Sequence, residues 1–457
     1  MALPSATHPG QGINSTRAQH GRGGAWVAAV LAAGFYVAVV LAGIAAARPE
    51  DRGYLDQRDF HLPAILKFAA ELPRPDLRDY ASATTPGYHL LLAGVVRLAG
   101  PDERPLRVLG AAFGAVLVGV LAYACARRLG PALGLAVSAP LACSMHVVYS
   151  GVWLLPDNSG WLGVLGMLLL ALAWPAGAGP AGLWLLAAGS LSSLLVIFRQ
   201  VHIWTAGLTW LGAWLGSDAS APAVLSRSRV VRSLRAFLAT LPAFLILAAF
   251  VRLWGGLTPP RFQDQHQGFN IAWPVFVLAV LGVLGSFYAG WLAPGLARQW
   301  RQRGRARVAL GAAPALGLLL SLLIETSYSL EEGRRSGLWN LGLSFPVVAG
   351  RSVLISACCA LGGVVLVALG GILGRRDHLV LLAALAGFTL AQLPNHEVWQ
   401  RYVEPMCLIL LALAASRSTL PPPSGPHPAH AALRHARWLG PLALGLLFLA
   451  YTWTRMT

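Results

Sequence analysis

The residues able to do chemistry in this chain sit in a few short polar segments between long apolar runs. Tyr54-Leu55-Asp56-Gln57-Arg58-Asp59-Phe60-His61 puts two carboxylates and a histidine in one loop. A carboxylate there can take a proton from a nucleophile as general base, or it can simply be solvated; Asp59 is also a natural N-cap for a following helix. Thr84-Thr85-Pro86-Gly87-Tyr88-His89 carries the proline that favours a first helical turn. Pro156-Asp157-Asn158 either caps the helix that follows or touches a substrate. Phe198-Arg199-Gln200-Val201-His202-Ile203-Trp204 holds an arginine between two apolar runs. Such a side chain grips a phosphate with its planar fork or snorkels to the membrane surface. Asn395–Glu404 gathers His396, Glu397, Trp399, Arg401 and Tyr402, and Arg334-Arg335 adds basic charge to another loop. His266, in Gln263-Asp264-Gln265-His266, is a weaker candidate, since a lone loop histidine is usually just solvated.

The elements that position these residues follow from composition. Only 12% of the 457 residues are charged and 56% are apolar, against about 25% charged in soluble domains. Mean hydropathy is +0.61. This excludes a disordered chain, a disulfide scaffold and an ordinary soluble enzyme, and points to an all-α, polytopic membrane protein. The net charge of +17 comes from a chain with a single lysine, Lys67. The arginines lie scattered in short loops rather than on one basic face, so no nucleic-acid partner is expected. The five cysteines sit in apolar stretches without Cys/His ligand spacing, so no metal, cofactor or disulfide framework is expected.

The run Gly24–Ala47 has the length of a full span, longer than the core of a cleaved leader. Counting onward to Trp438–Trp453 yields about thirteen spans. Arg48–Arg104 is the longest polar stretch between apolar runs. Within it, Asp59–Leu72 has amphipathic helical spacing, and Gly87–Ala99 is too short to span comfortably. Both are read as interfacial helices in a first outer loop, 48–104. That choice puts Arg127-Arg128 and the later arginine-rich linkers inside, as the charge rule requires. It also puts every polar segment named above on the outer side. The expected layout is a cytoplasmic tail (1–23), a membrane domain (24–416), a basic Pro/His-rich cytoplasmic linker (417–437) and a C-terminal spanning helix (438–457). A transporter would place charged residues inside its spans, whereas this pattern suits an enzyme working at one membrane face.

At these residues the chain resembles a known family. One span, a long acidic outer loop with two interfacial helices and a dozen further spans resemble the GT-C superfamily of membrane glycosyltransferases, and within it the dolichyl-phosphate-glucose-dependent alpha-1,2-glucosyltransferases. Tyr54-Leu55-Asp56 and Phe60-His61 match a first-loop pattern, approximately YMDExFH. Thr84-Thr85-Pro86-Gly87-Tyr88 matches TTPPGLY with one proline and one residue missing, and Phe198-Arg199-Gln200 with Trp204 matches FRQTNxxW, with His202 in place of Asn. Two departures stand out: one extra residue separates Asp56 from His61, and Gln57 stands where the family has Glu.

The resemblance implies a GT-C fold and inverting transfer of a hexose, glucose in the family. The donor would be a polyprenyl-phosphate sugar, the acceptor a glycan or glycolipid, and the remaining partners membrane lipids. The expected setting is a bacterial inner membrane with the site facing the periplasm. Asp56 or Asp59 would be the base. Arg199, Arg401, Arg334 and Arg335 would hold the donor phosphate. His61, Tyr88, Asp157, Asn158, Gln200, His266, His396 and Tyr402 would contact substrate. Transfer onto lipid A or protein by the same superfamily, and a lipid or polysaccharide transporter, are the alternatives.

Overall fold

The computed structural model describes residues 21–46, 48, 52–174, 181–216, 225–266, 268–302, 304–421 and 428–456. Most of the expected N-terminal tail and the middle of the 417–437 linker lie outside the described residues. The described chain is helical: α1 (Arg22–Ala46), α2 (Arg52–Asp56), α3 (Leu62–Glu71), α4 (Gly87–Ala99), α5 (Glu103–Leu129), α6 (Pro131–Cys143), α7 (Met145–Val152), α8 (Asp157–Leu172), α9 (Ala181–Phe198) and α10 (Thr205–Leu215) form the first half. The second half holds α11 (Arg227–Trp254), α12 (Gln263–His266), α13 (Trp273–Ser286), α14 (Ala289–Arg301), α15 (Arg305–Leu323), α16 (Leu338–Gly342), α17 (Val353–Ile372), α18 (Arg375–Gln392), α19 (Gln400–Ser416) and α20 (Pro428–Met456). A two-stranded ribbon, Val347–Val348 with Arg351–Ser352, is the only sheet among the described residues.

Six of these helices are long and apolar enough to cross a bilayer, and two bent pairs raise the number to eight. This is fewer than the expected thirteen, because several apolar runs are broken or short. The run expected as one span from Pro131 to Ser150 bends by 63° at Ser144, between α6 and α7. The run Ala272–Ala293 turns by 105° between α13 and α14. Helix α8 has 16 residues and α10 only 11. Short helices are tolerated at membrane depth where protein, not lipid, surrounds them, and α8 is largely buried. Helices α1, α11 and α15 instead expose Val30, Leu245 and Leu323. Apolar side chains facing outward along whole helices are what a hydrocarbon solvent permits and water does not. The protein is an all-α integral membrane protein.

Close helix contacts depend on small residues. Helix α13 packs on α17, where a β-carbon on Gly282 or Gly362 would collide with the carbonyl of Cys358 or Leu278 on the facing helix. Backbones that approach this closely gain dispersion contacts that lipid cannot replace. Side-chain caps begin α5 (Asp102, accepting from the Arg104 N–H at 3.0 Å), α11 (Ser226) and α17 (Ser352).

The polar segments assemble at one end of the bundle. The Gln200 side chain accepts from the Thr85 N–H (2.9 Å) and donates to the carbonyls of Ala83 (2.8 Å) and Leu257 (3.0 Å). Asn270 donates to the carbonyls of Glu332 (2.9 Å) and His396 (2.7 Å). The arginine-rich linkers gather elsewhere: Arg376 donates to the carbonyls of Ala171, Leu172 and Gly216, and Arg417 pairs with Asp377 at 2.9 Å.

Candidate active site

The first loop places Asp56 through its neighbours. A β-carbon on Gly53 would collide with the Trp153 indole, so glycine lets α2 lie against that ring. Gln57 is fully buried; it donates to Glu103 at 2.8 Å and accepts from the Leu154 N–H at 3.2 Å. Gln57 is therefore a buried strut. The segment between Asp56 and Leu62 forms a π-helical turn, Gln57–His61, with the Leu62 N–H bonding the Gln57 carbonyl. A π turn is how a helix takes one additional residue without losing its register. Asp56 and His61 thereby approach one common set of charges. Asp59 points away: 44% of its side chain is exposed, and it accepts from Arg58 at 2.6 and 2.9 Å. That guanidinium holds its carboxyl below the usual range.

Two arginine–carboxylate pairs face this loop. Arg401, from the first turn of α19, donates to Asp56 at 3.0 Å and to the Tyr402 hydroxyl at 2.9 Å. Its guanidinium lies 4.3 Å from the centre of the Trp399 ring, a contact that favours a desolvated cation by about 0.5–2 kcal/mol. Arg199 ends α9 in extended backbone and pairs with Asp157, the first residue of α8. It also sits 5.0 Å from the Tyr402 ring. Tyr402 therefore contacts both cations. Arg199 and Asp157 keep 10% and 11% of their side chains exposed, and Arg401 and Asp56 keep 26% and 21%. The second pair is thus the more accessible to a ligand.

His61 feels Asp56, Asp157, Arg401 and Arg199, and burial pushes its pKa down to about 4. Its Nδ1 lies 3.0 Å from Nε2 of His89, with the rings stacked. Tyr88 is buried, its hydroxyl has no hydrogen-bond partner among the described residues, and Asp157 lies within its electrostatic reach.

Other expected site residues are engaged in bracing. Asn158 donates to the Tyr36 hydroxyl (3.0 Å) and the Val147 carbonyl (2.9 Å). Gln200 ties the Thr84-Thr85 segment to the Arg199 segment, as described above. Arg334 donates to the Ser327 carbonyl at 2.8 Å and lies 3.8 Å from Glu325. Arg335 pairs with Glu397, which also accepts from the Trp399 indole at 2.6 Å. His396 contacts the Glu331 carbonyl at 2.8 Å. His266 lies 3.5 Å from Asn395, and burial lowers its pKa.

Sequence reasoning missed one buried group. Glu404, 2% exposed on α19, accepts from Ser144 (2.5 Å) and Gln400 (2.7 Å) and lies 3.8 Å from His146. His146 in turn lies within reach of Arg401 and Asp157. The signal was present: ionisable residues inside apolar runs are functional candidates by default. Reading acids only in loops overlooked Glu404, the second residue of the expected span Val403–Ala415.

No family model matches this sequence, and no curated protein matches it. Among solved structures, two crystal structures of ArnT from Cupriavidus metallidurans are similar, one bound to undecaprenyl phosphate and one in the apo state. Each aligns at 14% identity with a TM-score of 0.39, over 86% of this chain and 78% and 77% of the ArnT chains respectively.

Proposed function

We propose that this protein is an inverting glycosyltransferase of GT-C type. It moves a hexose, glucose by the family resemblance, from a polyprenyl-phosphate carrier to a lipid-linked or surface glycan at the non-cytoplasmic face of a bacterial inner membrane. The observation that carries the reading is the meeting of Asp56–Arg401 and Asp157–Arg199 around Tyr402, at one end of a membrane bundle. A donor of this class combines an apolar tail, a phosphate and a sugar, and the arrangement offers lipid-facing helices, two cations and carboxylates to match.

In this reading the phosphate engages Arg401 and Arg199, and Asp56 takes the acceptor proton as the hydroxyl attacks the anomeric carbon. The bond from that carbon to the phosphate oxygen breaks on the opposite face, and its electron pair leaves with the phosphate. Desolvated donors aimed at the developing charge are the largest available source of rate. Asp59 serves the first loop's outer surface. The proposed division is a catalytic domain (24–416), a cytoplasmic linker (417–437) and a terminal spanning helix (438–457), with α20 (Pro428–Met456) beginning inside that linker. The test is transfer by purified protein in lipid nanodiscs, using a panel of synthetic polyprenyl-phosphate sugars. Lipid-phosphate-dependent transfer of at least one sugar is expected. Inertness toward the whole panel, with accumulation of lipid-linked glycan inside vesicles instead, would mean a transporter.

A further inference from the structure

We propose that His61 acts as an uncharged hydrogen-bond donor to the departing phosphate, presenting Nε2–H, and that buried His89 sets this tautomer. The proposal rests on the glycosyltransferase reading above and adds a catalytic residue and a positioning residue to it.

The geometry begins with the two rings. His61 Nδ1 and His89 Nε2 are 3.0 Å apart, and the planes are inclined by only 20°. One proton lies between them, since a neutral imidazole has one donor and one acceptor nitrogen. His89 is fully buried, packed near Tyr80 and Tyr88, and its Nδ1 has no partner among the described residues. If His61 supplied the shared proton, His89 would carry its own proton at Nδ1, a buried donor with nothing to receive it. Buried N–H groups without partners are rarer in proteins than under-satisfied acceptors. The shared proton therefore belongs to His89, and His61 carries its proton on Nε2.

The charged groups of the site surround the same ring. Four charged groups lie within electrostatic reach of His61: Asp56 from the end of its own loop helix, Asp157 from α8, Arg401 from α19 and Arg199 from the end of α9. His61 stays partly exposed while His89 is closed off, so Nε2 is the nitrogen left for a ligand.

The chemistry asks for this kind of donor. As the carbon–oxygen bond breaks, the phosphate goes from a singly charged diester toward a doubly charged monoester. Two guanidinium groups already stand in the site. A third cation beside them would be repelled and costly to desolvate, whereas a neutral imidazole N–H strengthens its bond as the negative charge grows. Neutral histidine polarising a substrate oxygen is an established catalytic device. No proton leaves His61 in this step, and the acceptor proton still goes to Asp56.

The test uses the full-length protein in lipid nanodiscs with 15N-labelled histidine. His61→Gln identifies the His61 signals. At pH 7 we expect one proton on His61, at Nε2, and a shift of that proton's signal on adding farnesyl phosphate. His89→Phe keeps a ring in place and removes the shared hydrogen bond. It should mix the His61 tautomers and lower kcat about tenfold with little change in donor KM. Two protons on His61 at pH 7, a proton on Nδ1, or a signal silent to farnesyl phosphate would each overturn the proposal. The wild-type spectra decide this even if His89→Phe does not fold. A wild type that transfers no sugar counts instead against the functional reading, which the transfer assay judges separately.

Discussion

Replacing Asp56 with asparagine separates chemistry from structure. The side chain is 21% exposed and accepts from Arg401 at 3.0 Å. Asparagine preserves its shape and still offers an oxygen to that guanidinium. The change swaps a hydrogen bond between charged groups, worth about 1.5–3 kcal/mol, for a weaker one, so folding should lose roughly 1 kcal/mol. Spread over a chain of this length, that lowers Tm by only about 1–2 °C. Losing a positioned general base costs about 10²–10⁴ in rate, or roughly 3–5 kcal/mol of barrier. With Asp56 as the proposed base, the catalytic effect should therefore exceed the structural one by a wide margin. The assay measures transfer and donor binding on the same nanodisc preparation, with Tm as the folding control. Asp59→Asn is the internal comparison. Asp59 is paired only with Arg58 on an exposed surface, where ion pairs are worth little, so activity should stay within about twofold of wild type. An active Asp56→Asn beside a dead but folded Asp59→Asn would refute the reasoning. Full activity in both would remove the first loop from the mechanism.

Arg199→Gln and Arg401→Gln should each weaken use of the lipid-phosphate donor by roughly 10–100-fold, and unchanged donor kinetics in both would reduce these arginines to structural partners of Asp157 and Asp56. Stability should fall as pH drops: the His61 pKa is lowered from 6.5 to about 4 in the folded state, so the unfolded chain binds more protons between those values. Between pH 8 and pH 5 this removes roughly 2 kcal/mol, read as a falling Tm whose slope is smaller in His61→Gln; an equal slope would contradict the half-buried, neutral imidazole. A cysteine at Arg78 should react with an impermeant thiol reagent added outside intact cells, and one at Ser226 should not, because arginine-rich short loops stay inside. Labelling of Ser226→Cys would invert the topology.

Much of the site was legible as segments. Apolar runs, the arginines of alternate loops and the polar stretches around Asp56, Asp157, Arg199 and Arg401 are local properties, because a bilayer selects span and loop by composition over about 20 residues. The same local reading located α4 at Gly87–Ala99 and the helix that follows Pro156. It overcounted spans because it cannot register a bend: whether an apolar run crosses or turns depends on what packs beside it, as at Ser144, whose hydroxyl bonds Glu404 some 260 residues away.

The sequence by itself determined that this is a helical membrane protein and which segments carry its polar chemistry. Only tertiary structure decided which residues meet. Asp56 and Arg401 are 345 positions apart and Asp157 and Arg199 are 42 apart, so no local pattern encodes their pairing. The segment Gln57–His61 becomes a π turn that separates Asp56 from Asp59, a choice made by the burial of Gln57 against Leu154 and Glu103. The partnership of His61 with His89 likewise exists only because α4 packs against α3 and so closes His89 off from water.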